Sequence, residues 1–272
     1  MISFSFLVPS LALATFIPAY AALYLIPSLR LRARYLGALG VGLAFWYFYD
    51  TMVDAASLGE NNAIYPPYLF GGLPHVALVL SFVAGVLVLA AFDRLSIPRP
   101  GAIPTRKALL LIPAAVALVM GVHGLGEGWG AVSAVAAAPS NGGELQSLVQ
   151  AFGTFPALVS YPIHKFLEAS IVAALYGVYL RGAEVKPSWW EVPLLGLLFA
   201  GPSAIGAALG YFFQMDTTYF FAFGVTAALY AVVRLVGPMS EAPGRAPAYF
   251  GPRTFAMIAL GMLLLYVAAL LH

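Results

Sequence analysis

Long apolar stretches separated by short polar or charged turns dominate this chain. The first starts at the N-terminus and runs for more than 20 residues, to Arg30, Arg32 and Arg34. A helix crossing a bilayer needs about 20 mostly apolar residues. Windows of that length pick out eight segments, at about 5–28, 35–56, 73–92, 107–135, 156–180, 189–213, 217–236 and 252–271. The short alternating segments of a membrane barrel, about 10 residues each, are absent, so all eight read as helices. The expected fold is an all-α polytopic membrane protein with eight transmembrane helices, a single transmembrane domain over 1–272. Residues Met1 to Phe4 lack the basic stretch of a signal peptide, which points to an uncleaved first span.

Composition agrees. Apolar residues make up 62% of the 272 and charged residues 9%, with a mean hydropathy of +0.91; soluble domains carry about 25% charged residues. A cytoplasmic enzyme is excluded on that ground. The 27 glycines and 20 prolines suit tightly packed, kinked membrane helices. With no cysteine, disulfides, thiolate metal sites and Cys nucleophiles are excluded, and a metal must be held by His, carboxylate or Met. A GxxxxGK[ST] loop is also absent, so nothing points to ATP, and nothing points to nucleic acid.

The charges sort by side. Arg30, Arg32, Arg34, Arg94, Arg99, Arg106, Lys107, Arg181, Lys186, Arg234, Arg245 and Arg253 all fall at one end of the predicted spans, whereas Asp50, Asp54, Glu60, Glu144 and Asp216 fall at the other. By the positive-inside rule the basic end is cytoplasmic. Both termini are then expected outside a multi-pass protein of the cell membrane.

Lys165 is the exception, deep in span 5 beside His164 and Glu168, while span 4 carries His123 and Glu127. Ionisable groups at mid-bilayer cost about 2.5–3.5 kcal/mol each and mark functional sites by default. Each of the two helices holds H-x-x-x-E, His123 to Glu127 and His164 to Glu168. At i and i+4 the imidazole and carboxylate share one helix face. Two imidazoles and two carboxylates suit Zn²⁺, Fe²⁺ or Mn²⁺, and a dication between two carboxylates sums to zero charge. Glycines 121, 124, 126, 128 and 130 would let span 4 approach a partner closely, and Pro162 would loosen span 5 just before His164.

The same residues admit other readings. A buried His–Glu pair can simply join two helices, and Lys165 with Glu168 at i+3 can be a structural salt bridge. His75 and His272 lie near span ends and read as interfacial, and Trp46, Tyr47, Trp189 and Trp190 read as membrane-interface anchors or helix packing rather than a cofactor box. Asp50 and Asp54, with Glu60 beyond, read as an outer entrance that collects cations or as a solvated helix end. Asp216 and Glu144 read as loop residues.

On these motifs the chain resembles the ZIP (Zrt/Irt-like) family of divalent metal transporters. His123–Gly128 is similar to that family's H-N-x-P-E-G motif in span 4, and His164–Glu168 to its H-x-x-x-E in span 5. Gly201 to Gly210 looks like its span 6, and Ala222 to Tyr230 with Pro238 is similar to its span 7. The resemblance implies a 3+2+3 inverted repeat around spans 4 and 5, metal movement into the cytoplasm, and an elevator-like slide of the site-bearing helices. Where the family builds a second metal site, this chain has Gly124, Lys165 and Gly201, so a single site is expected, with the Lys165 ammonium standing where a second cation would sit. Arg234 and Leu235 replace the glutamates that often end span 7, and the His-rich loop after span 3 is missing.

The function expected is therefore a transporter, not an enzyme, carrying Zn²⁺, Fe²⁺, Mn²⁺ or Cd²⁺ through His123, Glu127, His164 and Glu168, with no prosthetic group and with a homodimer as an expected assembly. Two alternatives stay open. One is a membrane-embedded mononuclear metalloenzyme, although H-E-x-x-H is absent. The other is a non-metal carrier in which the His, Glu and Lys side chains relay protons.

Overall fold

The structure, a computed structural model, describes residues 3–56, 74–96, 106–137, 146, 149, 154–239 and 251–270. Among them every regular element is a helix: α1 Phe4–Ser28, α2 Ala33–Ala56, α3 Pro74–Ser96, α4 Arg106–Ala137, α5 Phe155–Gly182, α6 Glu191–Phe212, α7 Thr218–Gly224, α8 Thr226–Met239 and α9 Pro252–Ala269. Eight spans are long and apolar enough to cross a bilayer, α7 and α8 together forming the seventh. The chain is an all-helical, multi-pass membrane protein, and the spans begin and end within a few residues of the expected limits. Glu60, Glu144, Arg99, Arg245, His272 and the side chains of His75, Lys107 and Pro238 lie outside what is described.

The seventh span departs from expectation in one respect: it is broken at Val225. Thr226 turns its hydroxyl back to the Phe223 carbonyl at 2.7 Å, and the Ala228 amide bonds to Val225 rather than one residue earlier. A hydroxyl competing for the preceding turn is a local cause of such breaks.

Two groups of helices are recognisable. In one, α4 lies along α6 and α1 lies against α5 and α6; in the other, α2 packs on α8 and α9, and α3 on α7. Small residues set the spacing in both. A Cβ at Gly206 would collide with the Leu125 carbonyl and one at Gly128 with the Ser203 carbonyl, so α4 and α6 touch backbone to backbone. This locates the close partner expected of the span 4 glycines. Gly42 of α2 and Gly261 of α9 meet in the same way.

The basic end is fastened by polar contacts. Glu191, at the start of α6 and 1% exposed, accepts from Arg106 Nε (2.6 Å) and Nη2 (2.9 Å), Tyr176 Oη (2.6 Å) and the Ser188 amide (2.9 Å). The Glu191 carboxylate raises the pKa of the Arg106 guanidinium further above its ordinary value. On the other helix group, Asp93 of α3 pairs with Arg234 of α8 and accepts from Tyr230 Oη at 2.6 Å.

Candidate metal centre

The site is built where two helices carry the same spacing to the same depth. His123 stands midway along the 32-residue α4, and His164 and Glu168 lie about 14 and 20 Å along α5 at 1.5 Å per residue. On α5 the residues Tyr161, His164, Lys165 and Glu168 form an i, i+3, i+4, i+7 stripe. A matching stripe on α2 holds Tyr47, Asp50, Thr51 and Asp54. The seam between the two helix groups brings these faces together.

His123 Nε2 lies 3.4 Å from Glu127 Oε1 and 3.6 Å from Glu168 Oε1. These three residues offer ligand atoms that all fall within 4.8 Å of one another. His164 approaches from the side, its Nε2 3.0 Å from the same Glu168 Oε1 and 3.7 Å from Asp50 Oδ2. The four expected residues are thus neighbours, with Glu168 Oε1 shared by both imidazoles. That oxygen is buried and accepts no well-directed hydrogen bond, which leaves its lone pairs aimed into the gap between the histidines.

Lys165 occupies the other side. Its ammonium bonds Glu168 Oε2 at 2.6 Å and also bonds Glu127 Oε2, and it lies over the Tyr161 ring at 5.6 Å from the centroid. Each carboxylate is therefore divided: Oε2 faces the ammonium and Oε1 faces imidazole. The salt bridge expected with Glu168 is present, and a second one reaches across to α4. The charge sum changes with it. Glu127, Glu168 and Lys165 total −1 in formal charge, and adding Asp50 gives −2, so a dication is balanced only if Asp50 belongs to the site.

Asp50 is placed closer to the centre than an entrance requires, while Asp54 lies one turn farther toward the acidic end. Exposure rises in that direction: side-chain accessibility is 1% at Lys165 and Glu168, 19% at Glu127 and 37% at Asp50. Toward the basic end Leu36, Leu43, Leu175 and Leu235 are fully buried in the apolar core. Exposure of the cluster thus increases toward the acidic end of the helices and is lowest at Lys165 and Glu168.

Two contributors, Phe221 and Gly224, escaped the reading of the sequence, and a third, Tyr47, read as an interface anchor or as helix packing, is 1% exposed and serves as packing. Tyr47 sets its ring edge-on to His123, with centroids 5.3 Å apart at 81°, and Phe221 lies on the imidazole at 4.9 Å. Gly224 abuts His123 so closely that a Cβ there would strike the His123 Cβ. On this side the imidazole is held by packing, since its Nδ1 is buried with no hydrogen-bond partner among the described residues. The helical stripe through Tyr47 and Asp50 was the available signal for Tyr47; Phe221 and Gly224 carry none. Asp216, read as a loop residue, is 1% exposed and caps the Thr218 amide at 3.0 Å.

No protein-family model matches the chain, and no curated protein or solved structure shows significant similarity to it.

Proposed function

We propose that this chain is a secondary transporter or facilitator for a divalent transition metal, bound at one mid-membrane site by His123, Glu127, His164 and Glu168 and moved toward the basic, cytoplasmic side. The observation that carries this reading is the division of the two carboxylates: their Oε1 atoms converge with the His123 Nε2 atom, His164 Nε2 lies beside Glu168 Oε1, and Lys165 holds the Oε2 atoms. Two nitrogens and two oxygens suit a first-row dication, and the ammonium leaves room for one such ion. A hydrated ion arriving from the acidic end meets Asp54 and Asp50 first and exchanges water for carboxylate and imidazole in steps.

Transport requires the side from which the site is reached to change. All four proposed ligands sit on α4 and α5, in the helix group completed by α1 and α6, whereas Asp50, Tyr47 and Phe221 belong to the other group. An elevator-like slide of the first group along the second would part His164 from Asp50 and carry the cluster past the buried leucines. An inverted repeat around α4 and α5, as the ZIP resemblance implies, would give the two end states similar energies.

The bridging Lys165 also favours a second reading, a metal-free carrier in which the neutralised Glu–Lys–Glu unit relays protons. Purified protein reconstituted in vesicles separates the two. The transporter reading expects stoichiometric metal after dialysis against Zn²⁺ or Mn²⁺ and uptake that is lost in Glu168→Gln. No bound metal and no flux of Zn²⁺, Fe²⁺, Mn²⁺ or Cd²⁺ would leave the relay reading in its place.

A further inference from the structure

A second feature lies at the basic end, well away from the His–Glu cluster. Between the last turns of α1 and the first residues of α6 is a cavity of about 410 Å³, lined by Leu23, Tyr24 and Ser28 on one side and Ser188, Trp189 and Val192 on the other. Its volume is that of a small-ligand site. It opens to the outside of the helix bundle, since Tyr24 is 59% exposed and Trp189 86%. Aromatic side chains at such a level mark the boundary between hydrocarbon and headgroups.

The rim is cationic. Arg181 donates to the carbonyls of Pro27 (3.0 Å) and Leu29 (2.5 Å), which fixes its guanidinium at the edge of the cavity. Among the described residues no carboxylate pairs with it, in contrast to Arg106, whose charge Glu191 balances. Arg30 and Arg32 lie just after Ser28, and Lys186 just before Ser188; all three are exposed, Glu184 lies on the Lys186 turn, and the charge of Glu191, which bonds Ser188 and Tyr176, is balanced by Arg106. An apolar groove open to the outside of the bundle, capped by an unbalanced guanidinium and further cations, is complementary to one molecule class above others present in a membrane.

We infer that this groove binds an anionic phospholipid, one acyl chain lying between α1 and α6 and the phosphate meeting Arg181 and the Arg30–Arg32 turn. Basic residues at a membrane surface attract anionic lipid headgroups. A groove adds the position that a diffuse field lacks. Because α1 and α6 both belong to the site-bearing group, the lipid would sit on that group and leave the seam with α2 free.

Native mass spectrometry of the full chain released from micelles holding equal amounts of phosphatidylglycerol and phosphatidylcholine tests this. The expected result is one retained phosphatidylglycerol, preferred at least fivefold. Arg181→Gln should lower that ratio toward one, and Ser188→Trp, which fills the groove, should remove the preference. Should Arg181→Gln fail to fold, Arg30→Gln/Arg32→Gln changes only exposed side chains and should lower the ratio at least twofold. Equal retention of the two lipids, or a preference that survives Ser188→Trp or the double variant, overturns the inference.

Discussion

Replacing Lys165 by Met removes the ammonium and keeps most of the volume of a side chain that is 1% exposed. In the intact protein that ammonium bonds Glu127 Oε2 and Glu168 Oε2, so a dication on the Oε1 side would stand roughly 5 Å away. With an effective dielectric of about 20, charges of +2 and +1 at that separation repel by about 7 kcal/mol. Part of this is returned in the variant by protons competing for the uncovered carboxylates, and part by relaxation of the neighbouring helices. A net gain of about 1.4–2.8 kcal/mol is expected, which is a 10- to 100-fold tighter dissociation constant for Zn²⁺ or Mn²⁺. Titration calorimetry in nanodiscs measures it directly, with helicity and elution volume confirming the fold. Tighter binding should also slow release, so that flux falls while affinity rises. A folded Lys165→Met protein with unchanged or weaker affinity would refute the argument, because the ammonium would then not be felt at the metal position.

Metal affinity should fall as pH is lowered, by up to about tenfold per pH unit for each imidazole that must lose a proton before it can ligate; a flat profile between pH 7.5 and 5.5 would show that His123 and His164 do not bind the ion. Gly224→Ala places a methyl group against His123 and should weaken metal binding at least tenfold by displacing the imidazole, with uptake at low metal concentration as the readout; wild-type uptake would mean His123 is not needed in its observed position. Tyr176→Phe deletes one of the four hydrogen bonds to the buried Glu191 carboxylate and should cost about 1–2 kcal/mol, seen as a lower midpoint in thermal unfolding with metal affinity unchanged.

What the sequence made legible were features set by single helices. Span limits followed from the length of apolar stretches, because a bilayer core dictates that length whatever the fold. The pairing of His164 with Glu168 followed from i and i+4 geometry, and so did that of His123 with Glu127. Features set by helix against helix were not legible. That Lys165 reaches Glu127 as well as Glu168 depends on how α4 crosses α5, which spacing along either helix does not encode. The approach of Asp50 to His164 depends likewise on α2 lying over α5, so Asp50 could be read only as part of an outer entrance or as a solvated helix end. The Arg106–Glu191 pair joins positions 85 apart in the chain, and Gly224 gains its significance solely from the His123 Cβ beside it.

The division of the carboxylates is the claim on which the rest depends, and one measurement addresses it most directly. Crystals of the full chain soaked in Zn²⁺ or Mn²⁺ can be recorded on both sides of the metal absorption edge. A single anomalous peak is predicted within bonding distance of His123 Nε2, Glu127 Oε1 and Glu168 Oε1, with His164 drawn in and Lys165 still on the Oε2 atoms. A site with no peak, or a peak on the Oε2 side with Lys165 expelled, would contradict it.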